Sequence, residues 1–464
     1  MGEFICGFEL HLPLDCESKL FCSCPIVQKD AEPNTATCPI CLGHPGSKPV
    51  LNKKAVDYAI KLALALNCRV EKEIVFSRKT YFYPDLAKNF QISQYDAPLG
   101  NNGFIALDSG KKIKIRRVHL EEDPGALVHE SGMHGSMYVL VDYNRSGVPL
   151  CEVVTEPDIS SKEEAKEFLD KLNLIVDYLG IFNSGKFVIK ADTNISIKGG
   201  ERVEVKNVTG TKNVELVLLH ELERQKTVIT EGGKIEMETR GFDEASGTTY
   251  TLRKKESEED YGFIVDADLV PTQIDASWLE KIRKELPEMS EEKAKRFMGE
   301  FGLKEYDAKV LAQNKDIAQI FEDAAKVDVQ IAARIVSREL LGILNYNSLG
   351  LADTKITAKG ISALVALLKG GKVSDKNAKE SLIKYALEGI EPKEFLEKNK
   401  LLIDVSSGDL EKAVKEAVAE NASAFTEFKT GNSKSMNFLI GTVMRKMKGK
   451  ADARAVQKIL EEMK

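Results

Sequence analysis

Residues 4–14 read Phe4-Ile5-Cys6-Gly7-Phe8-Glu9-Leu10-His11-Leu12-Pro13-Leu14, and this alternation decides how the first part of the chain folds. With a period of two, Phe4, Cys6, Phe8, Leu10 and Leu12 share one side of a strand, while Gly7, Glu9 and His11 share the other. The device recurs at 187–197, where Phe187, Ile189, Ala191, Ile195 and Ile197 oppose Lys190, Asp192 and Asn194. It recurs again at 202–206, where Val203 and Val205 alternate with Arg202, Glu204 and Lys206. The segment Lys112–Glu122 slips phase at Arg116-Arg117, which a bulge would explain. Its neighbours Glu121 and Glu122 must then face opposite ways, so only one of them can join Glu9 and His11.

Helical stretches interrupt these strands. Asn52–Leu66 places Ala55, Ala59, Leu62 and Leu66 on one face. Ser161–Leu179 starts on a serine, carries early glutamates and stops at Gly180. Val214–Gln225 is the third. From Ser290 onward the pattern is helical throughout, with short breaks containing Gly or Asn. The expectation is an α+β N-terminal domain on an antiparallel sheet, spanning 1–290, followed by all-helical domains over 291–405 and 406–464.

Composition sets limits on partners. The chain has 464 residues and a formal charge of −6, so whole-chain charge gives no footprint for nucleic acid. The local exception is 429–450, which holds Lys429, Lys434, Arg445, Lys446, Lys448 and Lys450 without an acid. Met1–Leu14 has no secretory pattern and no apolar run of about 18 residues occurs. A cytoplasmic chain without a membrane span is expected.

Four of the eight cysteines cluster as Cys22-Ser23-Cys24 and Cys38-Pro39-Ile40-Cys41. Paired thiolates on two tight turns suit tetrahedral zinc, and four protein ligands leave no open position, so such a zinc is structural. Four ordinary buried thiols are the plainer alternative.

If the alternating strands share a sheet, one face collects carboxylates, a histidine and cations. Oxygen-rich donors with one histidine suit Mg²⁺, and adjacent Lys and Arg suit phosphate. A one-sided sheet with its polar face in water reads equally well. No Walker loop, dinucleotide fingerprint or kinase signature is present, so any ATP chemistry needs a less common scaffold.

The chain resembles the B subunits of GatCAB, the heterotrimeric aspartyl/glutamyl-tRNA amidotransferases. The resemblance rests on Gly7-Phe8-Glu9-Leu10-His11, on the run from Ala31 to Gly46 that includes Cys38 and Cys41, and on Tyr81-Phe82-Tyr83-Pro84-Asp85-Leu86. It continues through Gln91–Asp96, His119–Asp123, Asp142–Arg145, Glu156–Asp158, Val203–Asn207 and Phe438–Gly441. Departures from the family pattern occur at Pro13, at Val208-Thr209-Gly210 and across 262–268.

The resemblance implies a cradle-shaped catalytic domain with a zinc knuckle at 22–41, a helical linker and a helical tail that contacts tRNA. It implies ATP, Mg²⁺ and structural Zn²⁺ as cofactors. Glu9, His11 and Glu122 become the expected catalytic residues, with Mg²⁺ held among Glu9, His11, Glu121, Glu122 and Glu152. Lys190, Asp192, Asn194, Arg202 and Lys206 become the expected ATP or substrate contacts, and Lys446, Lys448 and Lys450 the tRNA contacts. The implied partners are an amidase-type A subunit, a small C subunit and aminoacyl-tRNA. The implied activity is phosphorylation of a misacylated side chain followed by amidation. A non-catalytic tRNA-binding adaptor would share the knuckle and the basic tail but not this chemistry.

Overall fold

A computed structural model describes residues 4–28, 30–128, 138–254, 262–403, 407–429, 432–447, 451 and 453–463. The chain divides into two compact units, Met1–Pro287 and Glu288–Lys464.

The first unit is built on a nine-stranded sheet. In chain order its strands are β1 (Ile5–Pro13), β2 (Arg69–Val70), β3 (Gly100–Ala106), β4 (Lys112–Glu122), β5 (Pro149–Thr155), β6 (Lys190–Ser196), β7 (Val203–Thr209), β8 (Glu238–Asp243) and β9 (Thr248–Lys254). Their order across the sheet is β9-β8-β7-β6-β1-β5-β4-β3-β2, which puts the opening strand at the centre. The pairing is antiparallel except for β7 and β8, which run parallel. That exception follows from connectivity, because the helix Thr211–Thr230 carries the chain across between them.

In the central strands the apolar phase is buried as its alternation requires. Leu10 and Leu12 of β1, Val153 of β5 and Val203 and Val205 of β7 are fully enclosed. Three helices lie against this face: α1 (Lys53–Ala65), α2 (Lys162–Leu179) and α3 (Thr211–Thr230). Asn52 caps α1 and Ser161 caps α2 through their side-chain oxygens, and Gly180 ends α2 in the left-handed conformation. Phe168 of α2 stacks on Phe8 of β1, with ring centroids 6.0 Å apart.

Two irregularities shape the other face. Val154 pairs with Arg117 and Thr155 with Ile115, so Arg116 is the extra residue of a bulge at the point where the sequence slips phase. Between β6 and β7, Ala191 pairs with Val208 and Thr193 with Val205, leaving Lys206 and Asn207 opposite Asp192. Asn207 adopts φ +56°, a conformation asparagine tolerates better than most residues. A separate three-stranded sheet, Gly262–Val265 with Ser77–Thr80 and Phe90–Ser93, supplies further residues to the polar side.

The second unit is all helical. Helices between Ser290 and Lys398 share one core around Phe297, Phe321, Leu364 and Leu382. Their starts are punctuated by the caps Asn314, Asp328, Thr357 and Ser374. Helices Ser407–Glu420, Ala422–Lys429, Ser433–Lys446 and Ala453–Glu462 enclose a separate cluster around Val414, Leu439, Val443 and Leu460.

Candidate functional site

The polar phase of the central strands forms the floor of a cleft of about 870 Å³, counting its open mouth. Cross-strand register assembles it. His11 lies opposite Glu152 on one side and Lys190 on the other, and Glu152 in turn lies opposite His119. Glu9 lies opposite Asp192, and Asn194 opposite Glu204.

Two groups of ligand-type side chains result, each with its atoms within 4.8 Å of one another: His11, Glu121 and Glu152 in one, Glu9, Asp192 and Glu204 in the other. In the first, His11 Nε2 is 3.8 Å from Glu152 and 3.9 Å from Glu121, and His119 Nε2 is 3.2 Å from Glu152. Ser93 Oγ donates to Glu121 at 3.2 Å. In the second, Asn194 Nδ2 donates to Glu9 at 3.2 Å. Lys206 Nζ donates to Asp192 at 3.0 Å and to Glu204 at 2.7 Å, and the bulged Asn207 N–H donates to Asp192 at 2.7 Å.

Such crowding of acid shifts protonation. Burial first, then the charges of Glu152, Glu204 and Asp192, push the Glu9 carboxyl up. Burial opposes a charged His11, yet Glu152, Asp192 and Glu121 together raise it. Burial likewise opposes ionisation of Glu152, but His119, His11 and Lys79 hold it well below the usual carboxylate range. Asp192 is lowered against burial by Lys206, His11 and the Asn207 N–H, and Lys206 is raised against burial by Asp192 and Glu204. Among the described residues, Arg117 Nε and His119 Nδ1 in the cleft lining and Asn194 Oδ1 beside Glu9 are buried without a hydrogen-bond partner. Orphaned polar atoms beside excess carboxylate are what a site shaped for a cation and a polar ligand presents.

The expected residues separate on this geometry. Glu9, His11, Glu121, Glu152, Asp192, Asn194, Arg202 and Lys206 converge on the cleft floor and its edges. Glu122 does not. It points the other way, where Lys88 Nζ binds it at 2.5 and 2.6 Å and the Ile92 N–H donates to it at 2.8 Å, so a regular β4 assigns it a buried ion pair in place of the cleft. Lys190 is half-buried, and its charge acts on Asp123. Glu204 completes the second group and His119 flanks the first through Glu152; each holds the same strand phase as a residue already singled out, Lys206 and Glu121. Lys79 and Ser93 come from the small sheet and Gln94 from just beyond it, and no periodicity connects that sheet to the large one.

The four cysteines also meet. Cys22, Cys24, Cys38 and Cys41 bring their sulfurs within 4.8 Å of one another, with Cys38 and Cys41 3.9 Å apart. A backbone bridge pairs Ser18 with Pro25, and the Lys19 N–H donates to Cys24 O at 3.0 Å, folding the first turn. Lys19 is fully buried and its Nζ lies 3.6 Å from Cys41 Sγ and 3.2 Å from Tyr143 O.

In the tail, Lys446 is committed to acids: it binds Glu420 at 2.5 Å and lies 3.7 Å from Glu416. Lys448 and Lys450 lie outside the described residues. Lys434 and Arg445 are exposed on the same helix, as is Phe438.

A family model described as the GatB/GatE catalytic domain matches residues 4–280, and one described as the GatB domain matches residues 319–463. The B subunits of aspartyl/glutamyl-tRNA(Asn/Gln) amidotransferases are similar along the full length. That of Persephonella marina is 42% identical, covering 99% of this chain and 99% of the relative. That of Sulfolobus acidocaldarius is 43% identical over 98% of each, and that of Methanosarcina barkeri 43% identical over 99% of this chain and 98% of the relative.

Proposed function

The chain belongs to the family of aspartyl/glutamyl-tRNA(Asn/Gln) amidotransferase B subunits, and from that premise we propose that its cleft activates the side chain of a misacylated tRNA with ATP for conversion to the amide. The observation that carries the reading is the pair of carboxylate groups sharing one cleft with Lys206, Arg202 and Lys79. A side-chain carboxylate does not react with ammonia. Transfer of the γ-phosphoryl group of ATP to it yields an acyl phosphate and ADP. Ammonia then forms the C–N bond, the C–O bond to phosphate breaks, and inorganic phosphate leaves as the nitrogen sheds a proton.

Phosphoryl transfer asks the protein mainly for positioning and cations. Lys206, held by Asp192 and Glu204, and Arg202 at the rim face the cleft with the charge to meet phosphate oxygens. The donors fit Mg²⁺: oxygen-rich, with one histidine in the group of His11, Glu121 and Glu152, and with the orphaned Asn194 Oδ1 beside Glu9. When bound there, Mg²⁺ would neutralise triphosphate oxygens. His119 packs against Glu152 and fixes its direction.

Ammonia would come from glutamine split in an amidase-type partner, with a small third subunit completing a cytoplasmic complex. Among the described residues no helix is long and apolar enough to cross a membrane. The four cysteines fit a structural zinc, and buried Lys19 is placed to offset the negative charge of four thiolates around it. We read 1–290 as the catalytic domain with its knuckle at 22–41, 291–405 as a helical linker and 406–464 as the tRNA-contacting tail.

The experiment assays three activities of the reconstituted complex separately with Glu9→Gln and His11→Ala. ATP cleavage dependent on charged tRNA and amide-tRNA formation should both collapse, while glutamine hydrolysis persists in part. Amide-tRNA formed at the wild-type rate by Glu9→Gln would place the chemistry elsewhere.

A further inference from the structure

The cleft is chemically lopsided. Its floor is acid and cation, but one edge is aromatic: Tyr95 and Phe263 stack with ring centroids 4.2 Å apart and planes 17° from parallel. Both are half-buried, and they are the aromatic residues among those lining the cleft. A stacked, partly enclosed aromatic pair is a poor neighbour for hydrated ions and a good one for a flat, polarisable ring.

The pair is tied to the ionic floor through the small sheet. Phe263 is the cross-strand partner of Lys79, whose charge acts on both His11 and Glu152. Tyr95 lies two residues past Ser93, which donates to Glu121. The segment 90–95 therefore sends Ser93 toward the carboxylates and Tyr95 into the aromatic edge, while the paired strands Ser77–Thr80 and Gly262–Val265 do the same with Lys79 and Phe263. The cleft runs from carboxylates through Lys79 to the aromatic edge, and a nucleoside triphosphate has the matching order of metal-bound phosphates, sugar and base.

We propose that the Tyr95–Phe263 stack seats the purine base of the nucleoside triphosphate, fixing which end of the nucleotide faces the carboxylates. The inference rests on the reading of this cleft as the ATP site. It lends a role to part of the 262–268 segment, where the sequence departs from the family pattern. Tyr95 and Phe263 touch the base and not the reacting atoms, so they are binding residues.

The test measures equilibrium binding of ATP and of inorganic tripolyphosphate, each with Mg²⁺, to the reconstituted complex carrying Phe263→Leu, Tyr95→Leu or Phe263→Tyr. A base stacked on an aromatic side chain contributes about 1–3 kcal/mol, so either leucine variant should weaken ATP roughly 5- to 150-fold. Tripolyphosphate, which has no base, should bind as to the wild type, and Phe263→Tyr should restore ATP affinity. Unchanged ATP affinity overturns the proposal, and so does parallel weakening of ATP and tripolyphosphate, which would report damage to the cleft. A higher KM for aminoacyl-tRNA with ATP affinity unchanged also overturns it and gives the stack to the adenosine at the tRNA 3′ end. Failure of the wild-type complex to bind either ligand would instead sink the underlying reading of the cleft, and the proposal with it.

Discussion

Behind the sheet, on the helical side, Glu221 of α3 is fully buried, as is the carboxylate-rich floor on the opposite face for the most part, yet the two clusters follow different rules. Arg224 binds Glu221 at 2.8 Å, Arg240 lies 3.2 Å from it, Gln225 donates to it at 3.0 Å, and Thr249 donates to it as well. Glu238 accepts from Arg240 at 3.0 Å and lies 3.2 Å from Arg224, so two acids meet two guanidinium groups. In the cleft, five carboxylates (Glu9, Glu121, Glu152, Asp192 and Glu204) crowd around the cations Lys79, Arg117, Arg202 and Lys206. Among the described residues, Gln225 Oε1 beside Glu221 lacks a hydrogen-bond partner just as Asn194 Oδ1 and His119 Nδ1 do, so charge is what separates the clusters. A buried cluster that balances its own charge holds the fold together. One that leaves acid in excess is shaped for something that arrives from outside.

Swapping one charge on each side tests that contrast most sharply. Glu9→Gln relieves repulsion from Glu152, Glu204 and Asp192, so unfolding should show stability unchanged or slightly higher. Amide-tRNA formation should nevertheless fall on the order of 10²–10³-fold, the usual cost of losing one well-placed electrostatic contact. Glu221→Gln should do the reverse. It leaves Glu238 as the single acid facing both Arg224 and Arg240 and should cost about 3–5 kcal/mol in urea unfolding, with the rate per folded molecule retained. A Glu9→Gln protein that is destabilised as severely as Glu221→Gln would break the comparison.

The acid sensitivity of the two sides should also differ in origin. Burial works against ionised Glu221, but Arg224, Thr249 and Gln225 hold its carboxyl below the usual range. A lowered folded-state pKa contributes stability above the unfolded value, about 4.3 for Glu, and that contribution disappears as pH falls through the folded value. Wild-type unfolding free energy should therefore drop below about pH 4.3, and Glu221→Gln should show a shallower loss over that range. Equal slopes for the two proteins would mean the network carries no linkage.

The cysteine knuckle tests the same contrast with metal. Its four sulfurs converge like the cleft acids, and Cys22, Cys24 and Cys41 are buried while Cys38 is half-buried. Protein purified without chelator should contain close to one equivalent of zinc, and Cys22→Ser should lose it along with protease resistance of residues 18–46. Zinc at background with all four thiols titratable would remove the site.

How much of this was legible beforehand depended on periodicity. Both faces of β1 could be read from eleven letters, and the slip at Arg116 announced the bulge. Register could not be read, because period-2 alternation states which face a residue takes and not which strand lies beside it. That is why Glu9 and Asp192 became partners only in the fold. The Glu121/Glu122 choice was posed by the sequence and decided by Lys88, whose loop gives no periodic sign of where it packs. Glu221 was invisible as a network centre, since an acid within a helix reads as a solvated face.

The smallest expected effect concerns the tail, where balanced and unbalanced charge meet on one helix. Lys446 stands in a basic run, yet Glu416 and Glu420 already occupy it, whereas Lys434 and Arg445 face solvent. Each phosphate contact that displaces counterions contributes about 0.7–0.9 to the salt dependence of binding. Replacing Arg445 or Lys434 with Ala in the complex should therefore lower the slope of log K against log salt for tRNA by about that amount. Lys446→Ala should leave the slope close to wild type, because a lysine that trades one set of anions for another releases little. If Lys446→Ala lowers the slope as far as Arg445→Ala, the Glu416 and Glu420 pairing yields to tRNA, and local balance of charge does not mark a residue as structural in the tail as it does behind the sheet.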